Sequence, residues 1–144
     1  ERCMMSEEEV TMSLIEYLKA EGWYIVSFDY PGSGTGKRLH KNGTRHKNKD
    51  TIVPDIIAVK ENVAMLFENK NRFYKPDFEK QHSNIVDNLY SDDVENLLKP
   101  YSVDVCLWGI GIPNEKYRKS SIDNLWMVDF LWTVMEDKTI IRKK

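Results

Sequence analysis

Three charged side chains, Asp55, Glu68 and Lys70, lie at the ends of two apolar segments that the sequence places close together. The segments TIVPDIIAVK and VAMLFENK are separated only by Glu61 and Asn62, which predicts an antiparallel strand pair with a tight turn. If the turn is symmetrical, Asp55 lies opposite Glu68, with Cβ atoms about 5 Å apart. Lys70 follows Glu68 by two residues and therefore points to the same face. The same register pairs Ile57 with Leu66 and Val59 with Ala64.

This convergence of two carboxylates and an ammonium group would be costly in an apolar setting. Opposed carboxylates repel each other, and burying an unpaired charge costs several kcal/mol. A divalent cation removes that cost, and carboxylate oxygens suit Mg²⁺, which keeps further positions for water and phosphate. The cation could polarise a phosphoryl oxygen and activate a bound water, while Lys70 orients that water or counters developing negative charge. The alternative is a structural Asp–Lys–Glu network at a strand end.

The elements that must position these side chains predict an α/β fold with the order α-β-β-β-α-β and one mixed central sheet flanked by helices. Ser6 and Glu9 have the form of a capping box, and Gly22 is typical of a helix end. The tryptophans Trp108, Trp126 and Trp132 occupy strand patterns and are expected in the core or an interface. The predicted elements are a helix over 7–21, a strand over 23–30, the strand pair, a helix from Pro76, a further or continued helix from Asp92 to Lys99, a strand over 103–112 and a closing hairpin around 136–138.

A long basic loop over residues 31–50 separates the first predicted strand from the second. Six of the 21 lysines and arginines lie between residues 37 and 49 with no acid among them: Lys37, Arg38, Lys41, Arg45, Lys47 and Lys49. Such a block either binds phosphate or is a solvated loop, and the stretch alone leaves both interpretations open. His40 and His46 also lie here, without a carboxylate partner that the sequence can place.

Composition limits the class of protein. A chain of 144 residues predicts a single domain over 1–144, with the basic loop as an insertion. The chain has no apolar window of membrane-spanning length, and its two cysteines are too few for a disulfide framework. We therefore expect a cytoplasmic, intracellular protein without a membrane partner. The formal net charge of −2 argues against coating nucleic acid with the whole surface, but it allows a local basic patch.

Pro54-Asp55 followed by Glu68-Asn69-Lys70 resembles the signature of the PD-(D/E)XK nuclease superfamily, which has a restriction-endonuclease-like fold. The resemblance extends towards the archaeal-type Holliday junction resolvases and covers residues 7 to about 112. In those enzymes an acidic helix precedes a strand, a Ser/Gly-rich basic loop, the Pro-Asp strand and the Glu-x-Lys strand. The loop of this chain is longer than the resolvase pattern.

The resemblance implies roles for individual residues. Asp55 and Glu68 would bind Mg²⁺, for which Mn²⁺ could substitute, and Lys70 would assist the attacking water. The family often adds an acid from the first helix, and Glu7 is the candidate for that catalytic and metal-binding position. The remaining residues that we expect at the DNA are Ser33 and Lys37 in the Gly-rich loop, the other cations Arg38, Lys41, Arg45, Lys47 and Lys49, and Gln81 early in the second helix.

The function expected from these residues is that of a metal-dependent DNA endonuclease that hydrolyses phosphodiester bonds. Since 144 residues leave little material for a separate sequence-reading domain, a structure-selective enzyme such as a junction resolvase is favoured, working as a homodimer or beside a partner. A compact restriction endonuclease, whose 31–50 loop reads bases, is the first alternative. A catalytically silent nucleic-acid-binding module on the same fold is the second, and an RNA substrate stays open.

Overall fold

The computed structural model describes residues 5–44, 50–114 and 118–144. None of the helices in these ranges is long and apolar enough to cross a lipid bilayer. The elements are α1 (Glu7–Ala20), β1 (Tyr24–Phe28), β2 (Leu39–His40), β3 (Thr51–Ile52), β4 (Ile56–Lys60), β5 (Val63–Asn69), α2 (Lys75–Asp87), α3 (Ser91–Leu98), β6 (Val105–Pro113), α4 (Arg118–Asp123), β7 (Phe130–Val134) and β8 (Ile140–Arg142), with 3₁₀ turns at Lys99–Tyr101 and Leu125–Met127.

Six of these strands form one mixed sheet in the order β1-β4-β5-β6-β7-β8. Strands β1, β4 and β5 are antiparallel neighbours, β6 and β7 run parallel to β5, and β8 closes the sheet antiparallel to β7. The short strands β2 and β3 form a separate antiparallel pair within the long loop. The fold is therefore mixed α/β with a central sheet flanked by helices, which confirms the fold class predicted from the sequence at this level.

Helix α1 begins at the predicted residue and ends at Ala20, one residue before the predicted bound. The side chain of Ser6 accepts a hydrogen bond from the Glu9 N–H at 3.1 Å, and the Glu9 carboxylate accepts one from the Ser6 N–H at 2.9 Å. The helix stops before Gly22, whose φ of +92° is a left-handed conformation that glycine adopts without steric cost. Its fully buried side chains Val10, Leu14 and Leu18 then pack on one face of the sheet.

The strand pair β4–β5 has the predicted register, with Ile57 opposite Leu66 and Val59 opposite Ala64. Its side chains alternate between the α1 face and the opposite face, which α2 and α3 cover. The regular ladder ends one residue earlier than expected, at Ile56 and Phe67. Because the Asp55 N–H donates to the Phe67 carbonyl at 2.9 Å, Asp55 and Glu68 are not a ladder pair, and their predicted direct opposition is wrong.

The C-terminal part confirms the closing hairpin, and it shows that Trp126 does not belong to a strand. Strands β7 and β8 pair from Trp132↔Arg142 to Val134↔Ile140, on either side of the predicted turn. Trp108 and Trp132 are buried as expected. Trp126 lies in the 3₁₀ turn before β7 and is 64% exposed, because the segment that resembled a strand reaches the sheet only at Phe130.

Candidate metal and phosphate site

Asp55 is held at the beginning of β4 by the backbone on both sides. Its carbonyl accepts a hydrogen bond from the Asp29 N–H at 2.8 Å, and its carboxylate Oδ2 accepts one from the Asn69 N–H at 2.7 Å. Burial raises the pKa of Asp55 to about 8, and the charge of Glu68 adds to the effect. Glu7 and Asp29 raise this pKa further, while the hydrogen bond from Asn69 opposes the shift. The surroundings of Asp55 therefore favour its protonated form over the charged one.

Glu68 lies two residues beyond Leu66 on the same face of β5, and its side chain is only 15% exposed. Burial raises its pKa, and the Asp77 carboxylate adds to that shift. The Lys80 ammonium, 3.3 Å from Glu68 Oε1, lowers it, as does Lys70 to a smaller extent. Helix α2 thus supplies the cation closest to the strand-end carboxylate.

Lys70 follows β5 and joins the same group of charges. Its N–H donates to the Gly111 carbonyl at 3.0 Å, which fixes its backbone against β6. Its ammonium lies 3.6 Å from Asp77 Oδ2 and 5.2 Å from the centre of the Tyr74 ring. Burial alone would lower the pKa of Lys70, but the charges of Asp77 and then Glu68 raise it. Lys70 is consequently a charged donor at this edge of the sheet.

Glu7 is the acid of α1 that the sequence proposes for this group. It is half-buried in the first turn, and its charge acts on both Asp55 and Lys70. Glu9 points elsewhere, since it is part of the capping box and lies 3.6 Å from Lys138. One turn after Glu7, the Thr11 hydroxyl accepts a hydrogen bond from Asn69 Nδ2 at 2.9 Å. This buried contact ties α1 to the end of β5.

Asn69 fits between the sheet and α1 because residue 111 is a glycine. A Cβ at Gly111 would collide with Asn69 Oδ1 and with the side chain of Leu14. Since Asn69 points to the α1 face, its neighbours Glu68 and Lys70 point to the other face, towards α2. Asn69 therefore packs between the sheet and α1, whereas Glu68 and Lys70 on either side of it belong to the charged site.

The donor set suits a hard divalent cation. Asp55 and Glu68 offer carboxylate oxygens, and the pKa of each is raised chiefly by burial, a cost to the ionised form that a bound cation would relieve. Across the ranges that the structure describes, no three His, Cys, Asp or Glu side chains are arranged to enclose a metal ion. Asp55 and Glu68 are the candidate ligands, and a cation held by two carboxylates would leave its remaining positions to water or phosphate.

The Gly-rich loop is folded against the same site. The Ser33 hydroxyl donates to Asp29 Oδ1 at 2.9 Å and accepts from the Tyr30 N–H at 3.1 Å. Gly36 is required for the close return of the chain, because a Cβ there would collide with the side chains of Val53 and Asp29. Ser33 is thus bonded to Asp29, whose N–H in turn donates to the Asp55 carbonyl, and its role as a phosphate contact stays a prediction.

The basic stretch is described only in part. Lys37 is exposed, Arg38 Nη1 donates to the Thr51 hydroxyl at 2.8 Å, and the Lys41 N–H donates to the Asp50 carbonyl at 3.0 Å. These three cations belong to the segment that contains β2 and β3. The other predicted cations, Arg45, Lys47 and Lys49, lie outside the described residues.

This basic hairpin is docked on the beginning of α3, which the sequence did not indicate. His40 finds the carboxylate partner that sequence could not place, with its N–H 2.7 Å and its Nδ1 3.1 Å from Asp93 Oδ2. Asn42 Oδ1 accepts from the Asp92 N–H at 3.0 Å, and Asn42 Nδ2 donates to the Ser91 hydroxyl at 3.0 Å. Asn42 therefore caps α3, whose own preceding residue makes no side-chain cap.

Gln81 does not lie where a DNA contact requires it. It is 2% exposed, and its Nε2 donates to the Gly109 carbonyl at 2.8 Å and the Leu66 carbonyl at 3.3 Å. Its Oε1 accepts from Asn84 Nδ2 at 3.0 Å. Because these contacts use its amide to fasten α2 over β5 and β6, the DNA-binding assignment of Gln81 is corrected to a structural one.

Asp29, Asp77 and Lys80 are the site residues that sequence reasoning missed. Asp77 and Lys80 are three residues apart, a spacing that places them on one face of the helix predicted from Pro76. Asp29 ends the first strand and had no comparable signal. Comparison of the chain with protein-family models, curated proteins and solved structures gives no match.

Proposed function

We propose that this chain is a metal-dependent DNA endonuclease of the PD-(D/E)XK superfamily. It hydrolyses phosphodiester bonds, and its preferred substrate is a branched structure such as a four-way junction. The observation that carries the proposal is the burial of Asp55 and Glu68 at one end of the β4–β5 pair, where the charges of both also act on the Lys70 ammonium. A folded protein gains nothing from two like charges in this position, whereas metal-assisted phosphoryl chemistry needs them.

The order of the elements supports a restriction-endonuclease-like core. Leaving aside the β2–β3 pair in the loop, the chain runs α1, β1, β4, β5, α2, α3, β6, which follows the α-β-β-β-α-β order predicted from the sequence with a further helix, α3, before β6. Strand β5 is central in the sheet, between antiparallel β4 and parallel β6. This arrangement brings the Pro-Asp and Glu-x-Lys segments together where β4 begins and β5 ends.

Each site residue then has a distinct task in hydrolysis. Asp55 and Glu68, with Glu7 as a further ligand, would hold Mg²⁺ or Mn²⁺. When bound, that cation supplies Lewis-acid activation of a phosphoryl oxygen and of a water. Lys70, whose ammonium is paired with Asp77, donates a hydrogen bond to the attacking water or to a non-bridging phosphate oxygen. It thereby stabilises the negative charge that develops at phosphorus.

The DNA would reach this edge past the basic hairpin. Lys37 is exposed, and its neighbours Ser33 and Asp29 connect the loop to Asp55. Cations beside a carboxylate site offset the repulsion between that site and the phosphate backbone. A homodimer would present two such sites, which suits cleavage of two strands at a junction.

The test is incubation of the purified chain with four-way junction, duplex and single-stranded DNA, each with Mg²⁺ and with a chelator. Asp55→Asn is the matched control, because it preserves the shape of the side chain. The proposal expects Mg²⁺-dependent cutting of the junction by the wild type alone. Discrete bands from linear plasmid would indicate a restriction endonuclease instead. DNA binding with no cutting of any substrate would indicate a silent binding module and contradict the proposal.

A further inference from the structure

The two lysines of the site are paired with different carboxylates, and α2 is involved in both pairs. Lys80 of α2 lies 3.3 Å from Glu68, while Asp77 of α2 lies 3.6 Å from Lys70. The strand thus contributes one acid and one base, and the helix contributes the opposite partner of each. This crossed arrangement keeps Lys70 away from direct pairing with Glu68.

Asp77 is unusual for an acid in the first turn of a helix because its side chain is buried. It is 6% exposed, and its Oδ2 has no hydrogen-bond partner among the described residues, so the longer ion pair to Lys70 is its main compensation. A buried carboxylate oxygen without a hydrogen bond is costly. Its position in the first turn favours a negative charge, but an exposed acid would serve the helix dipole equally well. The burial therefore calls for a reason beyond the stability of α2.

That reason is the position of Lys70. Its ammonium lies between the Asp77 carboxylate and the Tyr74 ring, which precedes α2. Apart from Asp77, the carboxylates whose charges act on Lys70 belong to Glu68, Glu7 and Asp55. Without Asp77, a flexible lysine side chain would move towards those oxygens, because no other anion would hold it.

We propose that Asp77 is a positioning residue, which holds the Lys70 ammonium over Tyr74 and leaves Asp55 and Glu68 available to a divalent cation. This inference rests on the proposed function and extends it to helix α2. The contact between Asp77 and Lys70 then has two consequences. Lys70 is placed for the phosphate, and the metal ligands are protected from a competing internal cation.

The experiment compares Asp77→Asn with Glu79→Gln. Both variants remove one acid from the same helix, but Glu79 is exposed. Two quantities are measured: junction cleavage under saturating and limiting DNA, and the thermal shift produced by Mn²⁺ alone without DNA. For Asp77→Asn we expect kcat to fall about 10- to 100-fold, the range typical of outer-shell partners around a metal site, with KM for DNA within about twofold. The Mn²⁺ concentration for half-maximal thermal shift should rise by a similar factor.

A second pair of variants keeps the inference testable if Asp77→Asn fails to fold. Tyr74 is exposed enough to tolerate change, so Tyr74→Leu should lower kcat while Tyr74→Phe, which keeps the aromatic ring under Lys70, should not. An active wild type with Asp77→Asn equal to Glu79→Gln in both measurements would overturn the role of Asp77. If Asp77→Asn does not fold, equal kcat for both Tyr74 variants would overturn it. A wild type that neither cleaves DNA nor shifts with Mn²⁺ would instead contradict the proposed function.

Discussion

The two ends of the β4–β5 hairpin carry polar and charged side chains under opposite conditions. At the turn, Lys60 Nζ donates to the Glu21 carbonyl at 2.7 Å, and Asn62 Nδ2 donates to Asp104 Oδ2 at 3.1 Å. These groups lie at the surface, in contact with water. At the open end, Asp55 and Glu68 are largely buried, and the pKa of each is raised.

The polar groups at the turn are exposed and hydrogen-bonded, whereas the carboxyl groups at the open end are buried at a cost to their ionised form. A surface pair costs little and contributes little, so its removal changes stability by less than about 1 kcal/mol. Burial of two neighbouring carboxyl groups opposes their ionisation in the folded protein, and sites of this kind are typical of catalysis. The same two strands therefore provide an internal control, because substitutions at the turn and at the open end should affect different properties.

The largest expected effect is the loss of cleavage on changing the open end. Asp55→Asn, Glu68→Gln and Lys70→Ala should each lower the cleavage rate by at least about a thousandfold, because each removes a proposed metal ligand or the cation proposed to face the phosphate. Single-turnover cleavage of junction DNA measures the rates, and circular dichroism checks the fold. Lys60→Ala and Asp104→Asn at the turn should cut like the wild type. Near wild-type rates for all three open-end variants would show that the site is wrongly assigned.

The next effect is on stability, and its sign follows from the pKa of Asp55. Because that pKa is raised from 3.8 to about 8, the folded protein binds the proton more tightly than the unfolded chain does. The stability from protonated Asp55 is complete below pH 4 and is lost as the pH rises through 8, at up to about 1.4 kcal/mol per pH unit. With chelator present, the melting temperature should fall from pH 5 to pH 8. Asp55→Asn should flatten this decline, whereas parallel curves for wild type and variant would contradict it.

Divalent cations should affect stability and cleavage through the open end of β4–β5 and not through its turn. Mg²⁺ should raise the melting temperature more at pH 8 than at pH 5, because Asp55 must lose its proton to bind the ion. Ca²⁺ should support DNA binding without cleavage, since it accepts looser coordination and activates water less well. Asp104→Asn, at the turn, should respond like the wild type. Full activity in the presence of a chelator would exclude this mechanism.

The sequence predicted the parts of the site that depend on local patterning. The two-residue turn and the apolar strands determine the β4–β5 register, so Ile57 was correctly paired with Leu66. The same symmetry failed at Asp55, where the Asn69 N–H bonds to a side chain instead of extending the ladder. Patterning describes a regular strand but not the point at which it stops.

Contacts between distant segments could not be predicted in the same way. His40 and Asp93 are 53 residues apart, and nothing in either segment specifies the other. Gln81 was placed by resemblance alone, and only the packing of α2 over β5 and β6 shows that its amide is used internally. Asp77 and Lys80 shared a helix face in the sequence, but the strand that this face would cover was not evident.

The smallest expected effect concerns the basic hairpin, which should contribute to binding and not to chemistry. Changing Lys37, Arg38, Arg45 and Lys47 to alanine should weaken DNA binding while cleavage at saturating DNA survives, because the open end of β4–β5 is untouched. Each phosphate contact that is lost should reduce the slope of log affinity against log salt by about 0.9 on duplex DNA. Titrations of several unrelated sequences at different salt concentrations measure that slope. If the loop instead reads bases, single substitutions would change which sequences are cut, at about 1–3 kcal/mol for each base.

The control is Asn42→Ala, which removes the cap on α3 without removing a charge. It should weaken binding and preserve the salt slope, because it loosens the hairpin and leaves its cations in place. An unchanged slope in the four-alanine variant would exclude the hairpin from the DNA interface.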